Sequence, residues 1–236
     1  MNYIESYYIA VYWGSREESL DICTKKVIDF FSILSEMNSS FEKWFEKGYS
    51  RKKALEHQYI FEYDKINKSL LKSRIKTDIG NIIIENLGYS FSTWNGLQEG
   101  EVTGISIHCN TSANCVSNNV VINLPSNKEI YDDIYKIDFI LRMFNLLIEV
   151  WHPEQIVMTS KQLRDYVSAN DDTPLIGWIT YLNTQKKLEK LLNFCRMDYD
   201  KDGVILIAED ECASINNIKQ ADEIKKIQSI INKERW

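Results

Sequence analysis

Aromatic-bearing apolar segments recur along the whole 236-residue chain and change period as they go, which restricts it to strands and helices interleaved around a core. The opening YYIAVYWG has the β-branched and aromatic content of a buried strand. Ser15 and Glu18 then form an S-x-x-E capping box, and Cys23, Val27, Phe30, Phe31, Leu34 and Met37 follow at helical spacing. Ser39 with Glu42 repeats the cap; Phe41, Trp44 and Phe45 supply an apolar face, and Gly48 suits a helix end. Helix is expected to continue to about Lys76, with Tyr63, Ile66 and Leu70 on one side. From Leu87 the period becomes two: Tyr89, Phe91 and Thr93 alternate with Ser90, Ser92 and Trp94, and Asn95-Gly96 ends the run as a turn.

GISIHCN and NNVVINLP read as strands paired across the polar TSANCVS connection. The strongest periodicity runs through Ile130, Ile134, Ile137, Leu141, Phe144, Ile148 and Trp151 and stops before Pro153, which predicts a long helix lying across a sheet. Beyond it come strand QIVMTS, helix KQLRDYV, an acidic loop SANDDTP, strand LIGWITYL, helix KKLEKLLNF, strand GVILIA and a final helix carrying Ile224, Ile227 and Ile231. Strands and helices mixed this way argue for an α+β fold, a mixed or antiparallel sheet flanked by amphipathic helices. No sharp break in composition divides the chain, so residues 1–236 are expected to form a single domain.

Net charge is −6 but unevenly spread. Asn38–Lys76 carries ten Lys/Arg against five Asp/Glu, a net of +5, whereas Leu97–Leu175 carries five against eleven, a net of −6. Direct nucleic-acid binding would want a basic face, which the acidic balance argues against; the basic stretch reads more simply as the solvated side of helices. No apolar run reaches the length of a bilayer crossing and the N-terminus lacks a signal-peptide pattern, so a cytoplasmic protein with no membrane partner is expected. Cys23, Cys109, Cys115, Cys195 and Cys212 are odd in number and dispersed, the pattern of free thiols.

Asp198, Asp200, Asp202, Gly203 and Glu209 match the spacing of a calcium-binding EF-hand loop. The second half of that loop, Val204 to Ile207, is a continuous apolar run that reads as a buried strand, so DYDKDG is taken as a polar turn. His108, Cys109 and Cys115 carry zinc-type donors, but neighbours in a strand face opposite ways and a fourth ligand is missing. No G-x-S-x-G, H-E-x-x-H, P-loop or G-x-G-x-x-G occurs, and none of His57, His108 or His152 stands in a catalytic motif. The expectation is a protein that is not an enzyme and has no cofactor. Trp13, Trp44, Trp94, Trp151 and Trp178 all fall in apolar segments and are read as core.

The aromatic segments in their order and spacing resemble the Immunity protein 52 family, with LGYSFSTWNG (Leu87 to Gly96), Trp151 and Pro153 of WHP, and GWITYL (Gly177 to Leu182) as the most specific pieces. The resemblance implies a bacterial protein that binds and neutralises a cognate toxin encoded beside it. That toxin is typically a nuclease of the restriction-endonuclease fold, delivered by a contact-dependent or secretion-system route. It implies no catalytic residues. A nuclease needs a basic groove for phosphates, so acidic loops would speed encounter with it. Glu99, Glu101, Asp171, Asp172, Glu209, Asp210 and Glu211 are the candidate partner-binding residues. A small enzyme with an unrecognised active site and a calcium-responsive binding module stay open as alternatives.

Overall fold

The computed structural model of the protein describes residues 5–113, 116–170, 173–200 and 202–234. Six α-helices and nine strands occur among them, in the order β1 (Tyr7–Trp13), α1 (Leu20–Met37), β2 (Phe45–Glu46), α2 (Arg51–Ala54), α3 (Tyr63–Lys72), β3 (Tyr89–Trp94), β4 (Gly104–Cys109), β5 (Asn118–Asn123), α4 (Ile137–Trp151), β6 (Gln155–Ser160), α5 (Lys161–Val167), β7 (Ile179–Leu182), β8 (Arg196–Asp200), β9 (Gly203–Ile207) and α6 (Ile218–Ile231). The pairings β2–β3, β3–β4, β6–β7, β7–β9 and β8–β9 are antiparallel, so the chain is α+β. Two compact units divide it. One is Tyr12–Ile122 with Asn145–His152; the other takes the described residues up to Val11, Asn123–Phe144 and those from Pro153 onward.

The unit centred on α1 carries strands in the order β2-β3-β4-β5. Helix α1 begins where the Ser19 hydroxyl accepts from the Ile22 backbone N–H at 3.2 Å, and it buries Cys23, Val27, Phe30, Phe31 and Leu34 on one stripe. Phe31 sits in an aromatic cluster, its ring centroid 5.2 Å from Trp44, 4.4 Å from Phe61 and 5.7 Å from Phe91. Trp151 is fully buried and stacks on Trp13 at 5.5 Å. The expected Ser15 cap is displaced to Ser19 for a tertiary reason. Arg16 is held outside the helix by donating its backbone N–H to the Thr111 carbonyl (3.1 Å) and its guanidinium to the carbonyls of Trp151 (2.7 Å) and His152 (2.8 Å).

The expected helix at Ser39 is also corrected. Only Ser39–Phe41 turns, as a 3-10 segment capped by Asn38, and Phe45–Glu46 then pairs with Thr93–Trp94 as an edge strand. Cross-strand pairing overrides the helical spacing there, and α2 and α3 follow as separate short helices. The outer edge of β2 is closed by its own chain: Glu46 N–H donates to the His57 carbonyl (3.0 Å) and Tyr59 N–H to the Trp44 carbonyl (2.8 Å).

The second unit carries strands in the order β1-β6-β7-β9-β8, with β1 entering it through Val11. Strands β7 and β9 are buried along their whole length and β6 at all but Gln155, as the unbroken apolar runs required. Helices α5 and α6 pack against each other and bury Leu163, Val167, Ala221, Ile224, Ile227 and Ile231. Glu5 is a buried carboxylate whose oxygens accept from Ser160 Oγ (2.7 Å), Tyr7 OH (2.8 Å), the Ile215 N–H (3.1 Å) and Ser214 Oγ. Four donors make that burial tolerable. KKLEKLLNF is not a helix: Glu189–Leu191 makes a single 3-10 turn, and the next residues form β8 along β9. The long helix starts at Ile137 rather than Ile130, because Asp132–Tyr135 is a 3-10 segment that still buries Ile134.

Candidate partner-binding surface

Asn95 builds the turn that carries two of the candidate acids. Its side-chain oxygen accepts from the backbone N–H of Leu97 (3.3 Å) and of Thr103 (3.1 Å), and its Nδ2 donates to the Glu101 carbonyl (3.1 Å). The backbone N–H of Asn95 closes the base by donating to the Thr103 carbonyl at 3.0 Å. Gly96 is required beside it: φ is +77°, and a Cβ would stand 2.6 Å from the Phe45 ring. Glu99 points out exposed from this turn, whereas Glu101 is half-buried.

Beside the turn lies a recess of about 570 Å³, lined mostly by apolar atoms of Trp94, Leu97, Val102 and Ala54, with Lys47, Arg51 and Glu99 on its rim. Arg51 spans the two walls by donating to the Gly96 carbonyl at 3.0 Å. Trp13, Trp44, Trp151 and Trp178 are buried as expected, but Trp94 is only half-buried and faces this recess. The reading of Trp94 as core is therefore corrected. Alternation along β3 puts Phe91 and Thr93 inward and leaves Trp94 on the other face. Tyr49, between the lining residues Gly48 and Ser50, is fully exposed.

Glu209, Asp210 and Glu211 follow β9 in the second unit. The Glu209 carbonyl accepts from the indole N–H of buried Trp178 at 2.8 Å, which fixes the start of this segment. Partial burial pushes the Glu209 carboxyl above the usual carboxylate range, reinforced by Glu223 and Asp210 nearby. Asp210 and Glu211 are exposed. Asp171 and Asp172 lie outside the described residues. The candidate acids thus belong to separate turns, Glu99 and Glu101 in one unit and Glu209 to Glu211 in the other.

The residues considered for chemistry are placed otherwise. Asp198 sits in strand β8 opposite Ile205 and 3.5 Å from Arg196, while Gly203 pairs with Asp200 at the hairpin end, so the calcium-like spacing is spent on a two-stranded hairpin. Val204–Ile207 is the buried strand expected of it. Among the described residues no group of three or more His, Cys, Asp or Glu side chains is placed to hold a metal ion. The His108 ring lies 2.9 Å from Ser90 Oγ through Nδ1, and burial lowers its pKa. Cys23, Cys109, Cys195 and Cys212 are free thiols, while Cys115 lies outside the described residues. Burial pushes the Cys195 thiol up to about 11, and burial likewise carries Cys212 to about 11 with Lys128 opposing it. Neither thiol is an activated nucleophile.

A model of Immunity protein 52 matches residues 5–231. The chain belongs to the Immunity protein 52 family. A solved Pseudomonas aeruginosa T6SS protein is similar in fold, with a TM-score of 0.54 at 12% identity, covering 96% of this chain and 73% of that one. No curated protein matches the chain. Membership implies a protein that binds a cognate toxin. No helix of the described residues is long and apolar enough to cross a membrane.

Proposed function

We propose that this chain neutralises a cognate bacterial toxin by forming a tight protein–protein complex with it, as a non-catalytic inhibitor acting in the cytoplasm. The observation that carries this reading is the family match over residues 5–231. The finer reading is that the toxin is a nuclease domain of the restriction-endonuclease fold, met in competition between bacteria through a secretion system. A nuclease must hold phosphates in a basic groove. The net charge of −6 and the exposed acids Glu99, Asp210 and Glu211 support rapid encounter with such a surface. In this reading the chain contacts the toxin and not its nucleic acid.

The test is co-expression with the toxin encoded beside its gene, together with a binding measurement on the purified pair. Survival of the host and a stable complex are expected, with toxin activity on DNA or RNA abolished in vitro. Survival without a complex would point instead to catalytic removal of the toxin's product or substrate and would overturn the inhibitor reading.

A further inference from the structure

The recess beside the Asn95 turn has the construction of an interface centre. Its two walls are the exposed segment Lys47–Lys53 and the turn Leu97–Val102, tied together by the Arg51 to Gly96 bond at 3.0 Å. Trp94 is oriented by donating its indole N–H to the Glu46 carbonyl at 3.0 Å. These two bonds hold Arg51 and Trp94 in place before binding, so less side-chain entropy is lost at those residues. Tyr, Trp and Arg are the side chains that dominate binding energy at interfaces; Trp94 and Arg51 line the recess, and the fully exposed Tyr49 lies in the chain between its lining residues Gly48 and Ser50. The lining is mostly apolar, with Lys47, Arg51 and Glu99 among its charged members, the pairing of apolar centre and charged surround found at interfaces.

Charge selects the occupant. One wall is basic, with Lys47, Arg51, Lys52 and Lys53 all exposed; on the other, Glu99 is the acid that lines the recess. We propose that this recess holds an apolar or aromatic side chain of the toxin whose neighbours in the toxin's own sequence are acidic, the acids lying against the Lys47–Lys53 wall. The proposal rests on the immunity reading above and names the contact that holds the complex. Long-range attraction through the net charge sets how fast the two meet, and the recess sets how slowly they part.

The test uses the full chain, the purified toxin encoded beside its gene, and three substitutions on exposed positions: Tyr49→Ala, Val102→Glu and Lys47→Glu. Each is expected to speed dissociation at least ~10-fold while leaving the melting temperature unchanged. The effect of Lys47→Glu should shrink in high salt and that of Tyr49→Ala should not. Tyr49→Ala keeps the experiment decisive even where Val102→Glu disturbs the turn, because Tyr49 is fully exposed. If the unaltered chain binds and all three variants leave at its rate, the recess is not the interface and the immunity reading stands. If the unaltered chain does not bind the toxin at all, both fall.

Discussion

At the scale of single residues, two side chains hold the acid-bearing turns in shape by bonding to backbone. Asn95 does so for the turn with Glu99, and the Trp178 indole N–H does so for Glu209. Glu209 is also one place where pH reaches the fold. Its carboxyl is raised in the folded chain, so the neutral form is favoured there and ionisation opposes folding. The associated stability is present below the unfolded-state value, about 4.3, and is lost as pH rises through the folded-state value. Glu209→Gln is therefore expected to raise the melting temperature at pH 7 and to leave it unchanged below about pH 4. Melting curves of both proteins across that range check it, and an equal effect at both ends would remove the electrostatic cause.

At the scale of elements, α5 shows how one residue serves two structures. Ser160 ends β6 and caps α5, its hydroxyl accepting from the Leu163 N–H at 3.1 Å while donating to buried Glu5 at 2.7 Å. Ser160→Ala removes the cap and one donor to a buried carboxylate, which should cost about 1–3 kcal/mol. Ser160→Thr should cost less, and the urea midpoints of the two variants decide it. Elements with dense, unbroken patterns were legible in the sequence: β1, β6, β9 and α6 stand where their apolar runs lie. Those set by distant partners were not. β2 and β8 are strands because a neighbouring strand pairs with them, and no periodicity within Phe45–Glu46 or Arg196–Asp200 announces that. Of the candidate acids, Glu99, Asp210 and Glu211 are exposed while Glu101 and Glu209 are half-buried, and the recess was not legible at all, because it joins residues near 50 to residues near 100 through a bond made only on folding.

At the scale of the whole molecule, charge is the property a partner meets first. Asp210→Asn combined with Glu211→Gln removes two exposed negative charges from a net of −6. Association with a basic toxin should slow and its salt dependence flatten, with dissociation and melting temperature nearly unchanged. Stopped-flow association rates across ionic strength measure this, and salt-independent association would remove steering from the account. The Asn95 turn has a further consequence. Its shape is held by the Asn95 side chain gripping main-chain groups, which every amino acid has, and by Gly96, so the exposed side chains of Gln98 and Glu99 are not among its fastenings. On the proposed interface, partner choice and foldability are separately mutable: a lineage can exchange one adversary for another by rewriting a few letters on a turn that keeps its outline.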